Sequence, residues 1–177
     1  DFVEVGGNTS CVALWAADEE RPRLILDAGT GIRAASALLG GAAFDGTILL
    51  THLHWDHVQG LPFFSAGDRD DASVQLLLPD AGERAAEVLG RAMSPPHFPI
   101  GPDGLRGRWS FDMLDEGTRI IEGFQVTARE IPHKGGRTFG YRVVDGAASI
   151  AYLPDHRPGP PGSPGRRAAL DLAAVVD

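Results

Sequence analysis

The chain has 177 residues, 43% of them hydrophobic and 23% charged, with a formal net charge of −8. That length suits one domain, residues 1–177, with a core of its own. The acidic balance excludes a broad grip on a nucleic-acid backbone, which needs a basic face. Cys11 is the only cysteine, so no internal disulfide is possible and a reducing, cytoplasmic compartment is expected. No apolar run reaches membrane-spanning length, so no membrane partner is expected.

Taken in chain order, Thr9 to Ala16 reads as a strand, and Arg23 to Leu26 as a second strand closing a hairpin over the charged turn at residues 18–22. Asp27-Ala28-Gly29-Thr30-Gly31 is a tight turn opening a helix through about Leu39. Thr47 to Leu50 is a buried strand, and Val58 to Phe64 a short helix or helical turn. Ser73 to Leu78 reads as a strand and Ala81 to Met93 as a helix, with apolar positions at Ala85, Val88, Leu89 and Ala92. Ser94 to Gly107 is a Pro/Gly-rich loop. Strands are expected at Trp109–Leu114, Phe124–Ile131, Thr138–Val144 and Ser149–Leu153, then a loop over Arg157–Gly165 and a helix from Arg166 to about Leu172. Ala174-Val175-Val176 reads as the start of a further buried strand. A strand with nothing after it leads to the expectation that the chain is a piece of a longer one.

The strongest signal is His52-Leu53-His54-Trp55-Asp56-His57, an H-x-H-x-D-H run directly after Ile48-Leu49-Leu50. Residues two apart on an extended segment point to one side, which joins His52 to His54. Asp56 and His57 follow where the chain turns and can face a second position. One segment thus offers two ligands to each of two neighbouring cations. Imidazole suits zinc and similar metals, and carboxylate adds a harder oxygen donor. A single histidine closing a strand would be read as a plain polar residue; four donors in this order are not.

A metal site needs partners from elsewhere. His133, in Ile131-Pro132-His133-Lys134-Gly135-Gly136, ends a predicted strand before a glycine turn and is placed as a third ligand of the first cation rather than a surface histidine. Asp155, after the strand Ile150-Ala151-Tyr152-Leu153, has a carboxylate able to bridge two cations; the competing role is a turn cap. His156 is expected to support the site from outside, and Asp27 to accept a hydrogen bond that orients a ligating histidine. His97, in Ser94-Pro95-Pro96-His97-Phe98-Pro99, is read as pocket rim or plain loop.

The order His52-x-His54-x-Asp56-His57, His133, Asp155 resembles the metallo-β-lactamase superfamily. Gly6-Gly7-Asn8-Thr9-Ser10-Cys11, Leu26-Asp27-Ala28-Gly29 and Tyr152-Leu153-Pro154-Asp155-His156 look like its phosphodiesterase and ribonuclease Z-like branch. The resemblance implies an α/β fold, an αββα sandwich with a dinuclear site at one edge, incomplete here at its N-terminal strand and C-terminal part. It implies a first site of His52, His54 and His133, a second of Asp56 and His57, and Asp155 bridging. The family's last histidine on the second site has no match in these 177 residues. An aspartate at 155 and a histidine at 54 separate the chain from the β-lactamases proper and from the flavodiiron branch. No basic arm for transfer RNA is visible.

The implied chemistry is hydrolysis by a hydroxide shared between two divalent cations roughly 3.5–4 Å apart, zinc by default, with manganese or iron as alternatives. Asp56 would bind metal and orient the nucleophile, making it the catalytic residue. The favoured substrate is a small anionic phosphodiester. A lactone, thioester or amide hydrolase of the same fold and a non-catalytic metal-binding domain are the alternatives, and a homodimer is allowed.

Overall fold

The computed structural model of the chain describes residues 6–146 and 148–174. Among these residues, nine strands form two sheets. The first sheet holds β1 (Val12–Leu14), β2 (Leu24–Leu26), β3 (Asp45–Leu49), β4 (Ser73–Pro79) and β5 (Arg108–Leu114), in that spatial order. β1 and β2 are the expected antiparallel hairpin, and β2 through β5 run parallel. The second sheet is an antiparallel meander of β6 (Gly117–Ile121), β7 (Phe124–Glu130), β8 (Phe139–Asp145) and β9 (Ala148–Tyr152).

Parallel strands need crossover segments, and these supply the helices. α1 (Ile32–Leu38) links β2 to β3, α2 (Trp55–Val58) follows β3, and α3 (Ala85–Gly90) links β4 to β5. The period-two rule then sorts the central strands. Ile25, Ile48, Leu76 and Leu78 meet the helices, with Ile32, Ala35, Leu61 and Leu89. Leu24, Leu26, Leu49 and Leu77 point the other way, onto Phe124, Val126, Phe139, Tyr141 and Val143 of the second sheet. α4 (Pro164–Ala173) covers the outer face of that sheet through Ala169 and Leu172 against Ile131. The layers are therefore α/β/β/α, as expected.

The differences from the sequence reading have local causes. β6 went unrecognised because Gly117-Thr118-Arg119-Ile120-Ile121 lies at the edge of the second sheet, exposed at three central positions, and carries no buried run. The predicted helix from Ala81 starts only at Ala85. Asp80 accepts from the Gly82 amide at 2.8 Å, Gly82 has φ +75, and Arg84 is extended, so a side-chain turn displaces the first helical turn. α4 starts earlier than expected, because Pro164 takes the first helical position and Ser163 accepts from the Arg166 amide. Ala174 ends α4, and Val175 and Val176 lie outside the described residues.

Two hydrogen bonds bind the second sheet to the segment leaving β3. The Phe139 amide donates to the Thr51 carbonyl at 2.8 Å, and the fully buried Tyr141 hydroxyl donates to the Leu50 carbonyl at 2.6 Å. Tyr141→Phe leaves that carbonyl short of its donor and is expected to cost about 1–3 kcal/mol. A urea titration should show a lower midpoint at unchanged slope; an unmoved midpoint would mean that the bond carries no net stability.

Candidate metal centre

All six expected ligands sit just beyond the carboxyl ends of strands. The His52–His57 run, with four of them, follows β3, His133 follows β7 and Asp155 follows β9, while Asp27, the expected supporting acceptor, follows β2. β7 and β9 both run antiparallel to β8, so their carboxyl ends lie at one edge. Crevices at the carboxyl ends of parallel strands are where open α/β sheets place ligands.

His54 is extended and caps α2, which turns Asp56 and His57 away from the direction of His52 and His54. Two groups of donor atoms result, each with its atoms within 4.8 Å of one another: His52, His54, His133 and Asp155, and Asp56, His57 and Asp155. In the first, His54 Nδ1 lies 3.0 Å from His52 Nε2 and 3.2 Å from His133 Nε2. Asp155 Oδ2 lies 3.3 Å from His133 Nε2 and 4.0 Å from His52 Nε2. In the second, His57 Nε2 lies 3.4 Å from Asp155 Oδ1 and 3.6 Å from Asp56 Oδ2. Asp155 thus presents one oxygen to each group.

Beneath the cluster lies a polar network centred on Asp27, a fully buried residue with φ +62. His57 Nδ1–H donates to its Oδ2 at 2.7 Å, and the Tyr152 hydroxyl donates to the same oxygen at 3.0 Å. The Thr51 amide donates to Oδ1 at 2.7 Å, and the Thr51 hydroxyl donates to the carboxylate at 2.9 Å. With that proton committed, Thr51 Oγ1 accepts from His52 Nδ1–H at 3.0 Å. Asp27 therefore fixes the tautomer of His57 directly and that of His52 through Thr51, and both Nε2 lone pairs face the cluster. From the sequence Asp27 is named as an acceptor for a ligating histidine, and nothing is assigned to Thr51 or Tyr152. The signal available was their place beside the motifs, one immediately before His52 and the other three residues before Asp155.

These residues fit a cation on three counts. His57 Nε2 is buried and has no hydrogen-bond partner among the described residues, which is costly unless something else occupies it. The separations of 3.0–3.6 Å around it and around His54 match the ~3.4 Å expected between donors of one tetrahedral ion bound at about 2.1 Å. Burial, then the neighbouring charges of His57, His54 and His133, push the His52 imidazole down to about 4 against the pull of Asp155, so it is neutral and able to ligate at ordinary pH. Burial pulls His57 down as well, but the hydrogen bond to Asp27 and the charges of Asp27, Asp56 and Asp155 together raise it. His156 belongs to neither group; it is half-buried, and its Nε2 is buried without a hydrogen-bond partner among the described residues.

The loop around the cluster is tight. A Cβ on Gly135 would lie 2.6 Å from His54 Nε2, at φ +83, and a Cβ on Gly29 would lie 2.3 Å from the Asp56 carbonyl. Gly135→Ala should therefore displace the His54 ring and weaken metal uptake while the core is left intact. Metal titration against a competing chelator is the measurement, and an affinity equal to wild type would show that the loop gives way.

The chain belongs to the β-lactamase superfamily: residues 22–176 match the model of the Beta-lactamase superfamily domain. It is 26% identical over 144 residues to a ribonuclease Z of Natronomonas pharaonis, covering 78% of this chain and 42% of that protein. It is 30% identical over 145 residues to a ribonuclease Z of Bradyrhizobium diazoefficiens, covering 75% and 44%. The chain thus spans less than half the length of these curated relatives. A metallo-β-lactamase structure from Cronobacter sakazakii superposes with a TM-score of 0.61 at 19% identity, covering 97% of this chain and 66% of that one. A diphosphatase of the PhnP family superposes at 0.51, also 19% identical, over 71% and 46%. At that identity the structural likenesses speak for the fold. Among the described residues, no helix is long and apolar enough to cross a membrane.

Proposed function

We propose that the chain carries the catalytic half-site of a metal-dependent hydrolase acting on phosphodiesters. The observation that carries this reading is the meeting of both donor groups at Asp155, beside His57 Nε2, which is buried with no hydrogen-bond partner among the described residues. In it, His52, His54 and His133 would hold one divalent cation and Asp56 and His57 a second, with Asp155, common to both donor groups, available to either. Zinc is the expected ion from the histidine-rich donors, and the two carboxylates keep manganese and iron as candidates. Bound cations would supply an acidified water and neutralise charge on the phosphoryl oxygens.

The chain's own residues do the rest. Asp27, through His57 and through Thr51 to His52, keeps two imidazoles in the ligating tautomer before any ion arrives. Asp56 is half-exposed, so one carboxylate oxygen can face solvent and orient the attacking water. In the reaction a water oxygen forms a bond to phosphorus and gives up one proton, the bond from phosphorus to the leaving oxygen breaks, and the departing alkoxide takes up a proton, so that no net proton is released by this exchange. That the curated relatives are named ribonucleases, and that RNA is a phosphodiester, supports this substrate class over lactones, thioesters and amides.

The test is hydrolysis of bis-p-nitrophenyl phosphate, a lactone and a thioester by protein loaded in turn with zinc, manganese and iron. The phosphodiester should be turned over and the other two not. Turnover of the lactone or thioester alone would replace the substrate class and leave the metal centre standing.

A further inference from the structure

Next to the candidate metal centre lies a cavity of about 190 Å3 that the chemistry described above does not use. Its wall begins inside the metal motif. Trp55 stands between His54 and Asp56, and with Val58 it forms the face of α2 turned away from His57. The other walls are apolar: Phe63, Leu89, Met93 and Phe98. Polar groups are two, the side chains of Gln59 and of His97 on the exposed loop before β5.

Two of these residues break the usual rule for large apolar side chains. Trp55 is 65% exposed and Phe63 is 58% exposed, yet each borders a cavity able to take an apolar group. Phe63 is held edge-on to Phe98, ring centroids 5.9 Å apart at 84°, so its orientation is set before anything binds. An exposed indole and a phenyl lining one slot can stack on a planar ring. The volume is below the ~300–1,000 Å3 of pockets that enclose a whole drug-sized ligand. The slot is therefore of a size for one ring system, and Trp55 in its wall is the chain neighbour of His54 and Asp56.

We infer that this cavity is a subsite for a planar aromatic group, a nucleobase or an aryl ester, carried by the phosphate compound whose phosphorus is presented to the metal centre. The inference rests on the phosphodiester reading for what lies at the metal, and on the cavity alone for what lies in the slot. Stacking is what separates a ring from an alkyl chain here, since both would fill apolar space but only a ring uses the two aromatic faces. Gln59 and His97 add polar side chains to the lining, which a heterocycle can use and an unsubstituted phenyl cannot.

Binding to the 177-residue chain is measured by calorimetry with adenosine 5′-monophosphate, phenyl phosphate, octyl phosphate and inorganic phosphate. The aromatic phosphates should bind roughly tenfold more tightly than inorganic phosphate, about 1.4 kcal/mol, with octyl phosphate below both. Adenosine monophosphate above phenyl phosphate would identify a base as the occupant; equality would identify a generic aryl group. Phe63→Ala should bring the aromatic phosphates down to the level of inorganic phosphate. Octyl phosphate binding as tightly as the aromatic ones, or an aryl preference untouched by Phe63→Ala, overturns the inference. Turnover of bis-p-nitrophenyl phosphate is scored separately. Aryl preference without turnover removes the phosphodiester reading and keeps the subsite; turnover without aryl preference does the reverse.

Discussion

Asp155→Ala is expected to strip metal from both donor groups at once. Wild-type protein should hold about two divalent ions per chain, and the variant well under one, as measured by mass spectrometry after dialysis. The reason is geometric: Asp155 is the residue common to both groups, with its two oxygens 3.3 Å from His133 Nε2 and 3.4 Å from His57 Nε2. Loss of a partner that merely supports a metal ligand costs roughly 10–100-fold in affinity, so loss of the shared donor should exceed that. His54→Ala is the contrasting variant. It cripples the first group but leaves Asp56, His57 and Asp155 in place, and about one equivalent should remain. Two full equivalents in Asp155→Ala would sink the assignment of that carboxylate as a bridge.

Asp27→Ala should be the most destabilising substitution near the site. It removes the acceptor of His57 Nδ1, the Thr51 amide and hydroxyl, and the Tyr152 hydroxyl, all inside a region where Asp27, Thr51 and His57 are buried. Stranding buried partners of a charge typically costs about 3–5 kcal/mol. Asp27→Asn isolates the electrostatic part. Asparagine tolerates the positive φ that Asp27 adopts and keeps the shape, but it no longer presents two anionic oxygens. Its stability loss should be smaller, while its metal affinity falls roughly 10–100-fold. Urea denaturation of metal-free protein and a separate metal titration distinguish the two effects. An Asp27→Asn protein with wild-type metal affinity would mean that the carboxylate serves packing only.

What the sequence made legible follows from how far apart the interacting residues are. His52, His54, Asp56 and His57 lie within one turn-and-a-half of chain, so their pairing could be read from strand and turn periodicity alone. The buried strands β3 and β4 were clear because both faces of a central parallel strand are apolar. The exposed edge strand β6 was not, because nothing about Thr118, Arg119 and Ile120 distinguishes an edge strand from a loop. His133 and Asp155 could be nominated, but that they meet His54 and His57 depends on how the second sheet packs on the first. Asp27 could be nominated as an acceptor, but its bond from Tyr152 could not, because the two lie 125 positions apart in sequence. The aromatic slot was the least visible feature, since Phe63 and Phe98 lie 35 positions apart in sequence and pair only in the fold.

The division of the six donors between the sheets has a consequence for how the protein is made. Residues up to His57 contribute four donors, yet neither group is complete without the second sheet, because both require Asp155 and the first also requires His133. A nascent chain therefore has no full coordination set until residue 155 has emerged and β7 to β9 have docked. Cation uptake would then act as a clasp across the seam, favouring the docked over the open arrangement by RT ln(1 + [M]/Kd), about 2.7 kcal/mol at a hundredfold excess over Kd. Starvation for metal during synthesis would be felt first as failure of the two halves to stay closed, ahead of any failure in chemistry.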